Sequence, residues 1–291
     1  MYTSFLDLES PCCSLPEVKV WPVPYQATVS FGDGAKNGPE AILRASYQIE
    51  TFDPRLGQDI SRLCSFVNLP FQRPNVRGPV HQNQDMKAFL KQMDPDQDFL
   101  LTLGGEHSIA FPLVEFYASR FTDLTIIQID AHADLRPDFE GSRFSHACVM
   151  ARIFGLNLRL IQMGIRSLNQ QEMQTITSNP DRILPFFPWD LPAPEKAAQK
   201  AIEFMDSGPV YITFDADGLD PSIMPGTGTP EPGGLDYLWL TSFWNHLWPG
   251  PRLVGMDFCE LAPVPGSQVS ESTAVKSIIS ILTSYFSRQN A

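Results

Sequence analysis

The chain has 291 residues, 43% of them hydrophobic, enough to bury one large core or two smaller ones. Its formal charge of −12 argues against the basic face that a nucleic-acid surface requires, and no apolar run of about 18 residues marks a transmembrane helix. The five cysteines are odd in number and show no C-x-x-C spacing, which points to a reduced, cytoplasmic protein.

Residues 1–16 lack a basic stretch followed by an apolar one and carry Asp7 and Glu9; they read as an irregular extension rather than a secretory signal. Residues 18–23 form the first expected strand. The glycine-rich segment 31–39 has neither phosphate-cradle spacing, so it reads as a turn before a helix from Pro39 to Ser46. Residues 53–83 are proline-dotted and irregular, with weak strand signals. A helix over 85–93 precedes a strand over 99–103, which runs into Gly104-Gly-Glu-His-Ser108 and a helix over 109–121. The strand 124–130 is followed by a loop, then Ser145-His146 opening a helix through residue 154. Strands over 157–163 and 182–187 alternate with helices over 168–177 and 194–206. A buried strand over 209–214 ends in Asp215-Ala-Asp217, and a Pro- and Gly-rich loop spans 218–234. A helix over 235–247, a strand over 252–259, Glu260 and a helix over 271–287 complete the chain. This alternation predicts a single three-layer α/β/α domain over 1–291 with a mainly parallel sheet. Ligands bind such sheets beyond the carboxyl ends of the strands. His107, Asp130, His132, Asp134, Asp215, Asp217 and Glu260 all fall there.

The stretch Thr125-Ile-Ile-Gln-Ile-Asp-Ala-His-Ala-Asp134 passes from a β-branched run to D-x-H-x-D. In an extended segment residues i, i+2 and i+4 share a side, which brings Asp130, His132 and Asp134 to one point. Carboxylates crowded at a buried strand end repel one another unless a cation compensates. The candidate ligands are His107, Asp130, His132, Asp134, Asp215 and Asp217. Their four carboxylates exceed what one tetrahedral zinc uses and suit two divalent ions, with Mn²⁺ favoured by an oxygen-rich set containing some nitrogen. Such a pair can activate a shared water for hydrolysis. Asp220 reads as a turn acid, Asp236 as an early-helix acid, Asp257 as a local hydrogen-bonding group, and Trp239, Trp244 and Trp248 as packing residues.

Gly-Gly-Glu-His-Ser (104–108), Asp-Ala-His-Ala-Asp-Leu-Arg (130–136), Ser-His-Ala (145–147), Phe-Asp-Ala-Asp-Gly-Leu-Asp-Pro (214–221) and Gly-Thr-Gly-Thr-Pro-Glu-Pro-Gly-Gly (226–234) resemble the ureohydrolase family of arginases and agmatinases, in the family's order. The resemblance implies two Mn²⁺ ions and cleavage of a guanidino group to urea and an amine. It implies that His107, Asp130, Asp134 and Asp215 hold one ion and Asp130, His132, Asp215 and Asp217 the other. Asp134 and His146 would then carry protons, and Glu260 would grip the substrate guanidinium. Glu106 departs from the aspartate common at that position; it is not expected to bind metal. A trimer or hexamer of identical chains is implied as well.

The segments around residues 135–146 and 215–222 look more like the agmatinase branch than the arginases. The substrate expected first is therefore agmatine, a small cationic guanidine, giving putrescine and urea. Arg136 or Arg143 paired with a substrate carboxylate would instead favour a guanidino acid such as guanidinobutyrate. Arginase, guanidinobutyrase and guanidinopropionase activity, a zinc amide hydrolase of related fold, and a non-catalytic binding homologue remain as alternatives.

Overall fold

The computed structural model describes residues 5–8, 15–248 and 250–289. In chain order its regular elements are β1 (Glu17–Val23), α1 (Gly38–Ser46), β2 (Phe52–Asp53), β3 (Gln58–Asp59), β4 (Ser65–Asn68), α2 (Pro79–Leu90), β5 (Phe99–Gly104), α3 (Ala110–Ala118) and β6 (Thr125–Ile129). They continue with α4 (Val149–Phe154), β7 (Arg159–Met163), α5 (Gln170–Ser178), β8 (Ile183–Phe186), α6 (Pro194–Met205), β9 (Val210–Asp215), α7 (Tyr237–Leu247), β10 (Leu253–Cys259) and α8 (Val269–Gln289). Eight strands make one sheet in the order β4-β1-β5-β10-β9-β6-β7-β8, and its pairings are parallel. β2 and β3 form a separate antiparallel ribbon. The three-layer α/β/α fold read from the sequence is the fold observed.

Helices cover both faces, so each interior strand is apolar on both sides and nearly continuous in its hydrophobic run. In β9, Val210, Ile212 and Phe214 belong to one core cluster and Tyr211 to the other. The first cluster is completed by residues such as Ile42, Ala197, Leu240 and Ile278 from α1, α6, α7 and α8. The second takes Met86, Leu113, Val149 and Ile176 from α2, α3, α4 and α5. No helix among the described residues is long and apolar enough to cross a membrane. Cys64, Cys148 and Cys259 are buried free thiols, whereas Cys12 and Cys13 lie outside the described residues.

The structure sharpens two sequence expectations and corrects the bounds of one helix. Within residues 53–83 a weak strand signal becomes the edge strand β4, Ser65–Asn68, paired with β1 from Glu17↔Ser65 to Val20↔Asn68. The expected helix at 85–93 starts at Pro79 and ends at Leu90. Gln82 and Asn83 are buried in it, and two buried amides blur the apolar stripe that reveals a helix in sequence. Within the expected extension 1–16, residues 5–8 are described, and Phe5 is wholly buried with its ring 5.1 Å from that of Phe66. Phe5 N–H donates to Asn68 Oδ1 at 3.1 Å and Leu6 N–H to Ser46 Oγ at 3.0 Å.

This short segment therefore packs as core. Phe5→Ala should cost about 3–5 kcal/mol of unfolding free energy in urea denaturation, the range for emptying a buried phenylalanine site. A loss below about 1 kcal/mol would mean that the segment is not fastened as described.

Candidate metal centre and cavity

Four adjacent strands deliver the site. The turn after β5 carries His107, β6 runs into Asp130, His132 and Asp134, β9 into Asp215 and Asp217, and β10 into Glu260. The chain crosses closely here: a Cβ on Gly218 would lie 2.6 Å from the backbone nitrogen of Asp130. The D-x-H-x-D segment is not extended throughout. β6 ends at Ile129, and Asp134 has φ 52°, in the left-handed region. Its carboxylate meets His107 from that turned backbone, not by simple alternation. Glu260 is also left-handed, at φ 61°. Left-handed backbone in non-glycine residues costs energy, and it recurs where surrounding structure fixes a functional group.

His107 Nδ1 lies 3.2 Å from Asp130 Oδ2, 3.2 Å from Asp134 Oδ2 and 3.4 Å from Asp215 Oδ2. His132 Nδ1 lies 3.1 Å from Asp217 Oδ2 and 3.6 Å from Asp130 Oδ1. Two groups of donor atoms result, His107/Asp130/Asp215 and Asp130/His132/Asp217, each with atoms within 4.8 Å of one another. Asp130 belongs to both and offers a different oxygen to each histidine. Asp215 is placed in the first group; its Oδ1 accepts the N–H of Asp217 at 3.0 Å.

Neighbouring side chains aim these candidate ligands. Thr213 Oγ1 donates to Asp257 Oδ1 at 2.8 Å and stands 2.8 Å from His107 Nε2. The hydroxyl hydrogen is committed to Asp257, so Nε2 carries the ring proton and Nδ1 presents its lone pair. That buried Nδ1 has no hydrogen-bond partner, although three carboxylates surround it. Gln128 Nε2 donates to Asp130 Oδ2 at 2.7 Å, and Gln162 Nε2 donates to Gln128 Oε1 at 2.6 Å. The two glutamines face each other in the β6–β7 register. Neither was singled out from sequence; their signal is a lone amide at matched positions in two apolar strands. Asp257, read as a local hydrogen-bonding group, also accepts from Tyr211 Oη at 2.8 Å.

Burial raises the pKa of Asp134 to about 6 and that of Glu260 to about 8, reinforced by the charges of Asp130 and Glu106 respectively. Burial and the neighbouring Asp217 and Asp130 push Asp215 well above the usual carboxylate range. Burial also opposes ionisation of Asp130, but His107 and His132 hold its pKa low. Burial disfavours a charged His132, yet Asp130 and Asp217 raise its pKa to about 11. The protein by itself thus gathers more negative charge than its imidazoles can offset. An oxygen-rich donor set with two imidazole nitrogens, one of them buried and partnerless, fits a pair of divalent cations.

A cavity of about 180 Å³ opens over this cluster, with Asp134, His146, Asp215 and Glu260 in its walls. The segment after β1, read as a turn, supplies Ser30, Phe31 and Gly32 to the rim, and Gly32 N–H donates to Gly228 O at 3.0 Å. Arg136 lines the cavity 3.6 Å from Glu172, with its guanidinium over the Phe139 ring at 4.8 Å; Arg143 is exposed beside Phe144 and is not in the lining. Asp236 caps α7 through the N–H groups of Leu238 and Trp239, and Trp244 and Trp248 are buried packing residues.

The shared position of Asp130 yields a stoichiometric prediction. Asp130→Asn should leave purified, Mn²⁺-equilibrated protein with fewer than one tightly held ion per chain, whereas Asp217→Asn should keep about one. Metal analysis after desalting reads the difference, and two ions retained by Asp130→Asn would contradict the shared geometry.

Residues 16–283 match the model of the arginase family. An N(1)-aminopropylagmatine ureohydrolase of Synechocystis sp. is 36% identical over 89% of this chain and 86% of its own length. An agmatinase of Bacillus subtilis is 30% identical over 90% of each chain. Among solved structures, the agmatine ureohydrolase of Thermoplasma volcanium superposes with a TM-score of 0.79 at 26% identity, covering 93% of this chain and 89% of that one. The proclavaminate amidino hydrolase of Streptomyces clavuligerus shares the fold with a TM-score of 0.87 at 23% identity, covering 98% and 97%. The chain belongs to the arginase family, as a ureohydrolase acting on guanidino carbon–nitrogen bonds.

Proposed function

We propose that this ureohydrolase holds two Mn²⁺ ions and releases urea from a cationic alkylguanidine of the agmatine type. The observation that carries the reading is the position of Glu260, in the wall of a cavity that Asp215 of one donor group and His132 and Asp217 of the other also line. When bound, the ion pair supplies charge stabilisation and a water of lowered pKa. Glu260 Oε1 already accepts His107 N–H at 2.7 Å, which fixes the carboxylate and leaves Oε2 for a guanidinium N–H. A guanidinium arriving there favours the ionised carboxylate, against the burial that otherwise raises its pKa. Asp134 takes a proton from the attacking water and passes it to the leaving nitrogen, and His146 exchanges protons at the cavity wall.

The rest of the cavity suits a cationic tail. Phe31, 84% exposed at the rim, offers an aromatic face to an alkyl chain and an ammonium group. Arg136 is the one arginine or lysine among the described lining residues, and Glu172 and Phe139 already engage it. A guanidino acid would find no uncommitted cation among them. Within the agmatine class, the aminopropyl-extended compound is a second reading. It is supported by the greater identity of the chain to the aminopropylagmatine ureohydrolases than to the agmatinases.

Urea release by Mn²⁺-loaded protein tests this across agmatine, N(1)-aminopropylagmatine, arginine and 4-guanidinobutyrate. The two cationic guanidines should exceed the guanidino acids in kcat/KM by about 100-fold or more, roughly 2.7 kcal/mol. Preference for a guanidino acid would overturn the substrate reading and return Arg136 to the binding site. Glu260→Gln should lower kcat/KM for the preferred substrate by about 10- to 100-fold, the loss expected for one charge-assisted pair. Unchanged kcat/KM would remove Glu260 from guanidinium recognition.

A further inference from the structure

His146 is held from below by a chain of groups that begins at Glu106. Glu106 is 1% exposed, yet its carboxylate is fully used. Its Oε2 accepts the N–H groups of Ala27, at 2.7 Å, and Thr28; its Oε1 accepts the hydroxyls of Thr28, at 2.7 Å, and Ser108. The segment after β1 is thereby tied to the turn after β5, 78 residues away in the chain. An aspartate here would be one methylene shorter. The sequence gives no sign of this contact, because Thr28 belongs to no motif.

The hydroxyl of Thr28 is the decisive atom. It has one hydrogen, and Glu106 Oε1 receives it. It accepts the backbone N–H of His146 at 3.1 Å, and it stands 3.1 Å from Nδ1 of the same imidazole. With its hydrogen committed, Thr28 Oγ1 can only accept from that ring nitrogen. Nδ1 must then carry the proton. Ser145 Oγ, 3.4 Å from Nδ1, is the more distant of the two hydroxyls. The other ring nitrogen, Nε2, lies 3.4 Å from Ser30 Oγ, and Ser30 lines the cavity with His146. The same acid–threonine–imidazole order holds His107 through Asp257 and Thr213 on the other side of β5, with the opposite ring nitrogen protonated.

We propose that Glu106 and Thr28 are positioning residues that lock neutral His146 as its Nδ1–H tautomer, leaving Nε2 free to take up and release protons on the cavity side. The proposal rests on the reading of His146 as a proton carrier. Neither Thr28 nor Glu106 touches substrate in this account. Their effect passes through the orientation and tautomer of one imidazole, as an aspartate acts on a catalytic histidine elsewhere.

Thr28→Val keeps the β-branch and removes the hydroxyl, while Thr28→Ser keeps the hydroxyl. In the Mn²⁺-loaded full-length enzyme, Thr28→Val should lower kcat by about 10- to 100-fold, part of the general acid–base contribution, with KM changed less than about threefold. Thr28→Ser should restore most of the rate. The direct readout is the ¹⁵N spectrum of the histidine side chains in protein loaded with diamagnetic Mg²⁺. The chain has five histidines, so the spectrum of His146→Asn identifies the signals of His146. Wild type and Thr28→Ser should show protonated Nδ1, and Thr28→Val a shift toward protonated Nε2. An unchanged tautomer in Thr28→Val, or a Thr28→Ser variant as slow as Thr28→Val, would overturn the proposal. If His146→Asn keeps the full rate while the tautomer still follows the Thr28 hydroxyl, the positioning holds and the proton-carrier reading of His146 falls.

Discussion

The arrangement depends on one electrostatic constraint, the convergence of carboxylates at the ends of adjacent parallel strands. Asp130, Asp134 and Asp215 all lie within 3.4 Å of a single imidazole nitrogen, and Asp130 and Asp217 flank a second. In water such charges would separate. Here the parallel sheet fixes their origins, and helices on both faces keep water from screening them. The raised pKa values of Asp134 and Asp215 register the resulting strain. A pair of divalent cations would relieve it, and the same pair would turn a costly cluster into a site for activating water.

Holding the cluster in place occupies much of the sheet's interior polarity. Gln162 holds Gln128, which holds Asp130; Asp257 holds Thr213, which holds His107; Glu106 holds Thr28, which meets His146. Each chain ends on a side chain of the site, and each starts from a buried polar group. The left-handed backbone at Asp134 and Glu260 belongs to the same economy of position. These groups are oriented before any substrate arrives, which is where electrostatic catalysis gains its advantage.

The sheet was legible because its interior strands are short, β-branched and bounded by turns; Thr125–Ile129 is buried along its whole length. The clustered acids were legible because polar residues directly after such strands have one natural destination. Edge strand β4 was legible only as a weak signal, since a four-residue strand with Val67 exposed shows neither alternation nor a continuous apolar run. The start of α2 was hidden by its buried amides, and the anchoring of Phe5 by the sequence distance to Phe66. The relays were the least legible part. Register between strands pairs Gln128 with Gln162 and Thr213 with Asp257, and register is a property of the assembled sheet. Thr28 and His146 are 118 residues apart, so no local pattern could join them.

The proposed sharing of the two Asp130 oxygens between two cations is tested most directly by anomalous diffraction at the manganese edge. Crystals grown with Mn²⁺ should show two peaks about 3.5–4 Å apart at the ends of β5, β6 and β9, with Asp130 in contact with both. A single peak, or two peaks of which only one touches Asp130, would contradict the account.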